Sequence, residues 1–400
     1  MNPTTMKTTT KSTVCAALFV LVAAGSSYAQ LNIPSDGSDG ALNITTNTVI
    51  DLTQAVTGNW TNAGTGTGVY DPAQWAVVFK YSSVNIASGA TVTFNNHYAN
   101  PPVIWLVESN VTVNGTLSLS GSAGTEIIPS AFVPSSPGPG GFRGGPWQNN
   151  VGGGDGLGPD GGGINGGSPN VSGGYSGSYG NAQILPLIGG SGASWVNYCG
   201  EGSGPAGGGA ILIAAGSTVT VNGIINAAGG SGTTNSCNPS FGAGGAIRIV
   251  ANQVLGTGSI NAAVGGRTRI EANSLSSQIV VTPNVNLVAP ASSPAIVPAG
   301  GSPTVNIVSV AGLNAPADPQ ANLDSAPDIG LQTNGPVTVV LQTQNVPTTG
   351  NVALRVVPVY GASWTTNASL VSGTVASATW QVTAKIPVGY CALQAHATAQ

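Results

Sequence analysis

The 400-residue chain carries 60 glycines and 27 prolines, but only 9 lysines and arginines against 13 acidic residues, a formal net charge of −4. Charged residues make up 6% of it, far below the usual quarter. With no basic stripe, a nucleic-acid partner is disfavoured. The strongly apolar, β-branched runs argue against general disorder.

In chain order, residues 1–29 read as a secretory signal peptide. Lys7 and Lys11 precede an apolar run from Val14 to Ala24, and Ser27-Tyr28-Ala29 forms a small-x-small cleavage site. No later stretch reaches the ~18 apolar residues of a membrane span, so the expected location is extracellular or at the cell surface. Residues 30–83 read as an N-terminal cap or lead-in, because the first turn of an open stack exposes strand edges.

Residues 84–286 repeat one unit. From Ile211 the chain reads ILIAAGSTVTVNGIINAAGGSG, and from Val103, ungapped beside it, VIWLVESNVTVNGTLSLSGSAG. Shorter copies start at Val84, Ile247 (with one deletion) and Thr268. A unit of about 20 residues with short alternating strands predicts stacked coils, each rising about 4.8 Å. Valines of Val111-Thr112-Val113 and Val219-Thr220-Val221 should stack inside, with Leu255 in the same interior column. Asn114-Gly115 and Asn222-Gly223 are expected to take positive φ at corners. A β-sandwich explains the alternation but not the ungapped repeat.

Residues 125–209 form a glycine-rich insert, and 28 of the 72 residues from 138 to 209 are glycine. It leaves from one corner of the coils, and the sequence does not decide its order. Cys199 and Cys237 lie in equivalent loops on neighbouring turns, where an exported protein is expected to join them by a disulfide. Residues 287–303, LVAPASSPAIVPAGGSP, read as a proline-rich linker. Beyond it, residues 304–400 carry alternating runs spaced as in an antiparallel sandwich of immunoglobulin type. There Cys391 shares a face with Leu393 and Ala395, as a buried thiol would.

Three segments carry a resemblance: Asp36-Gly37-Ser38-Asp39-Gly40-Ala41-Leu42-Asn43, the TVTVNG coils, and Gly244 to Asn252, GGAIRIVAN. Over roughly residues 36–275 the chain resembles glycine-rich secreted bacterial proteins similar to the pectin-lyase-like parallel β-helix superfamily. The tail is similar to immunoglobulin-like appendages of bacterial surface proteins. The resemblance implies an all-β protein, a right-handed parallel β-helix followed by an antiparallel immunoglobulin-like β-sandwich. It implies no single chemistry, since that superfamily holds both polysaccharide-cleaving enzymes and adhesins.

Candidate sites are sparse. Glu108 and Glu271 belong to coils too far apart for a paired-carboxylate glycosidase, which needs ~5–9.5 Å. Arg248 and Arg269 should be stacked outward positions on consecutive turns, with Glu271 between them and Arg267 nearby. They read as an anion clamp, as the catalytic set of a lyase or hydrolase, or as an edge-protecting charge cluster. Asp36 and Asp39, with Asp155 and Asp160, place carboxylates among glycines as calcium requires, although ordinary turn chemistry explains them as well. Trp147, Tyr175 and Trp195 are the aromatic candidates for glycan binding. Thr93, Thr112 and Thr220 would form a hydroxyl row. The scarcity of clustered ionisable groups favours a non-catalytic structural or adhesive protein whose partners are extracellular glycans or surface proteins. A polysaccharide lyase or hydrolase is the competing reading.

Overall fold

The computed structural model describes residues 30–124, 135–148, 152–159, 161, 180–194, 203–232, 241–320, 323, 326–333 and 335–398. The chain is almost all β: three sheets of six strands, essentially parallel, and a separate antiparallel region. The first sheet holds Ala41–Ile44, Ser83–Ile86, Val111–Val113, Thr218–Val221, Gln253–Leu255 and Ser274–Leu275. The second holds Thr48–Asp51, Thr91–Asn95, Thr116–Ser118, Ile224–Asn226, Ser259–Asn261 and Val280–Thr282. The third holds Ala76–Tyr81, Val103–Val107, Ala210–Ala215, Ala246–Val250 and Arg267–Glu271, with Val69–Asp71 antiparallel at its edge. From residue 76 onward the chain visits third, first and second sheets in rotation, which is consistent with a parallel β-helix-like fold.

Like residues stack over like. Leu42, Val84, Val111, Val219, Val254 and Leu275 occupy one register position through the first sheet. Val92, Leu117, Ile225, Ile260 and Val281 do the same in the second. Phe79, Trp105, Ile213, Ile249 and Ile270 do so in the third. These columns face one apolar core, where burying each aliphatic side chain is worth about 1.5–3 kcal/mol. Leu255 is not in its column: it opposes Thr220 and is 39% exposed, while Val254 points inward. The deletion in that copy falls before the strand and moves the register by one residue, which reverses every face.

The third sheet does not alternate. Ala210–Ala215 and Val103–Val107 are buried on both faces, as their continuous apolar runs require. Outward residues Ile104, Leu106, Leu212, Ala214 and Val250 pack under Leu31, Ile33, Ile296 and Val297. The proline-rich 287–303 is therefore no free linker along its whole length, because its middle roofs this sheet. The lead-in likewise supplies strands to all three sheets. Within it, Leu52 and Trp60 pack onto the core.

The Asn-Gly corners also differ from expectation. Gly115 and Gly223 do not take positive φ. Glycine is required there by close approach, since a Cβ on Gly223 would lie 1.8 Å from the Gly115 carbonyl oxygen. Asn222 Nδ2 donates to Asn114 Oδ1 at 2.8 Å, so the amides stack as a ladder.

The described glycine-rich segments form a backbone bundle at the corner entering the third sheet. Gly204, Gly207 and Ala210 donate to Gly145, Phe142 and Pro139. Ala206 and Gly209 donate to Ser122 and Leu119, and Gly208 to Ala243. The carbonyls of Pro205, Ala206, Gly208 and Gly209 accept from Ala193, Gly230, Gly190 and Ala246 in turn. Partners recur every three residues and belong to five surrounding segments, whereas a sheet strand has two neighbours. Three residues per turn with no internal hydrogen bond is polyproline-II geometry. Here each turn is hydrogen-bonded outward, so the inserts count as ordered structure wherever they are described.

The antiparallel region has a five-stranded sheet, in the order Leu313–Asn314, Thr304–Val310, Pro336–Gln344, Ser377–Lys385, Ser369–Thr374. A three-stranded sheet faces it, in the order Trp364–Asn367, Asn351–Pro358, Cys391–Thr398. Val339, Leu341, Leu354, Val356 and Trp380 build its core, and Trp380 Nε1 donates to Thr343 Oγ1 at 2.9 Å. No helix among the described residues is long and apolar enough to cross a membrane.

Candidate functional site

Arg248 and Arg269 are register partners on adjacent strands, and Glu271 bridges both. Its Oε1 accepts from Arg248 Nη2 at 2.7 Å and from Nε at 2.8 Å, and from Arg269 Nε at 2.8 Å. The set is not an open clamp. Arg248 is 2% and Glu271 6% exposed, because segment 288–297 covers them. Arg248 Nη1 donates to Ala295 O at 2.7 Å, and Glu271 forms a bridge with Val288. Arg269 Nη1 reaches Ala182 O at 3.1 Å, and Arg267 Nη2 reaches Ile188 O at 2.8 Å. Two carbonyl-bound arginines around one buried carboxylate leave no room for a substrate anion. Sequence periodicity placed them on the outer face, but the roof over that face comes from residues far along the chain.

Two strands separate Val103–Val107, which Glu108 follows, from the strand of Glu271, which leaves the carboxylates unpaired as a catalytic couple. The calcium candidates are turned to other work. Asp36 Oδ1 accepts from Ser38 N and Oγ, and these bonds, with Lys80 nearby, hold its carboxyl down at about 2. Asp39 accepts from the backbone N–H groups of Thr67 and Lys80, each at 2.6 Å. Asp155 is 1% exposed and takes the N–H of Ser363 at 2.8 Å. Among the described residues no group of three potential metal ligands converges. Asp160, Tyr175, Trp195 and the Cys199–Cys237 pair lie outside the described residues. Trp147 sits on a short strand paired with Gly152–Gly153. The hydroxyl row does not assemble: Thr112 and Thr220 are partners on the first sheet, whereas Thr93 opposes Val49 on the second.

Two polar nodes escaped the sequence reading, since each joins segments remote along the chain. Arg355 ties the antiparallel region to the glycine bundle. Nη1 donates to Gly158 O and Gln394 Oε1, and Nη2 to the carbonyls of Gly156 and Gly161, with Asp155 4.0 Å away. A lysine has three donors in no fixed fork, so Arg355→Lys is expected to cost about 2 kcal/mol. The checks are a lowered thermal midpoint and earlier protease cutting near residues 154–161.

At the second node, Asp318 accepts from Tyr70 Oη at 2.6 Å and Tyr98 Oη at 3.0 Å. His97 lies between those rings, tilted against each, with centroids 4.2 and 4.1 Å away. Burial lowers the His97 pKa against the pull of Asp318, and burial with the Asp318 bond raises that of Tyr70. Both shifts leave the His97 and Tyr70 rings uncharged at neutral pH, which fits a packing role better than an acid–base pair.

Cys391 is a free thiol, and burial pushes it up to about 11. Iodoacetamide labelling at pH 8 is expected to be slow in the folded protein. It should accelerate as pH approaches 11 or on unfolding; rapid labelling at pH 8 would contradict the burial.

One open concavity of about 520 Å³ runs along the corner between the first and second sheets, from Gly89 to Val280. Comparison with family models, with curated proteins and with solved structures gave no match.

Proposed function

We propose that the chain is a secreted or cell-surface structural and adhesive protein without catalytic activity. On this reading the three rotating sheets are a right-handed parallel β-helix, and residues 304–400 are an immunoglobulin-like module held against it. A Cys199–Cys237 disulfide would fasten neighbouring turns after export. The observation that carries the reading is the fate of the ionisable groups. Arg248, Glu271, Asp155 and Arg355 are all under 9% exposed and serve as internal fasteners. A lyase or hydrolase on the same scaffold needs such groups open to substrate.

The test has two arms. Purified protein is incubated with neutral and acidic polysaccharides, and new reducing ends or unsaturated products are measured. Cells with and without the gene are compared for surface attachment and for the protein in the extracellular fraction. No cleavage, together with reduced attachment of the deleted strain, is the expected result. Turnover of any glycan, or retention of the chain inside the cell, would overturn the reading.

A further inference from the structure

We propose that the groove along the corner between the first and second sheets binds a neutral, linear polysaccharide laid along the stacking direction. The proposal deepens the adhesive reading above by naming a ligand class, and rests on it. Its walls repeat with the turns. Thr91, Thr116, Ile224, Ser259 and Val280 occupy one register position on five successive strands of the second sheet, and all five line the groove.

That row offers three hydroxyls and two aliphatic side chains, with Ile224 43% and Val280 63% exposed. A sugar polymer presents the same mixture, hydroxyls at its rim and C–H patches on its faces. The Asn114–Asn222 amide ladder lies alongside. The floor is backbone: a Cβ on Gly258 would stand 2.1 Å from the Gly223 carbonyl oxygen, so side chains cannot fill the groove from below. Successive turns advance about 4.8 Å, comparable to one pyranose of an extended chain, so one turn meets one sugar.

Charge and hydrogen bonding narrow the ligand further. No ionisable side chain lines the groove, which leaves nothing to select a uronate or sulfated polymer over a neutral one. The central strands already pair with neighbours on both sides. Their main-chain groups are therefore unavailable to an added peptide strand, and what remains is side-chain hydroxyl and amide.

The experiment uses the full chain in native gels containing mixed-linkage β-glucan, dextran or polygalacturonate. Retardation by at least one neutral glucan is expected, with little by polygalacturonate. The double variant Thr116→Glu, Ile224→Glu changes one half-buried and one exposed side chain on the groove wall and should weaken retardation at least tenfold. Thr112→Glu, on the first sheet outside the groove, should leave it unchanged, and circular dichroism melts verify that both variants fold. Retardation by no neutral glucan, preference for the acidic polymer, or undiminished binding by a folded double variant would each overturn the proposal. An attachment defect of the deleted strain that the double variant fully rescues would sink the groove but spare the adhesive reading. Glycan cleavage would sink the adhesive reading whatever the groove binds.

Discussion

Gly207→Ala is expected to destabilise the protein by about 3 kcal/mol or more, a fall in thermal midpoint of roughly 6–12 °C for a body of this size. Gly207 lies in the middle of the segment that the other glycine-rich segments surround. A Cβ there would sit 1.8 Å from the Gly190 carbonyl oxygen and 2.3 Å from its carbon. These are backbone atoms in a segment hydrogen-bonded on several sides, so no side chain can rotate away. Relief requires separating the segments, which strains the bonds from Gly207 N to Phe142 O and from Gly138 N to Gly207 O. Gly300→Ala is the control, because nothing lies within 4 Å of a Cβ at that site. Its stability should match the parent within about 0.5 kcal/mol. Equal melting of the two variants would mean that the glycine bundle does not exist in solution.

Glu271→Ala is expected to cost about 3–5 kcal/mol, the usual result of removing one partner from a buried ion pair. The carboxylate separates two stacked guanidinium groups, and the Arg248 side chain is only 3% exposed. Without it, two like charges one strand apart face each other with little water to screen them. The damage should spread, since Arg248 also holds Ala295 and so the roof over the third sheet. Replacing the buried pair together, Arg248→Met with Glu271→Leu, should recover much of the loss, because an apolar pair of similar volume avoids desolvating charge. A Glu271→Ala protein within 1 kcal/mol of the parent by denaturant unfolding, set against that expected loss, would show that the pair is not buried in solution.

Much of the parallel region was legible because its period is local. The ungapped copies at Val103 and Ile211 named strands that pair in the expected register, Val111 with Val219 and Ile211 with Val103. The single deletion near Asn252 was enough to misplace Leu255, as a pleat tolerates no odd shift. The strand Trp364–Asn367 carries no apolar alternation to mark it in the sequence, and three of its four positions are exposed. The early strands Ala41–Ile44 and Ala76–Tyr81 were assigned to a cap, since neither carries the full repeat and only partner register places them in the sheets.

The candidate site divides differently. Stacking of Arg248 on Arg269 beside Glu271 followed from the repeat, but burial did not. Exposure depends on what crosses over a face, and segment 288–297 lies far from the lead-in residues that share its roof. Asp155 and Arg355 meet across about half the chain length, and no spacing rule encodes such a pair.

Alone, the sequence determined the strand period, the apolar columns and the scarcity of free charge, because these depend on neighbours one turn away and repeat with it. Only the tertiary structure decided that glycine runs pack as a hydrogen-bonded bundle, that a proline-rich stretch seals one sheet, and that Arg248, Glu271, Asp155 and Arg355 are buried. Those outcomes arise where distant segments compete for the same surface, and each segment's own composition is compatible with either result.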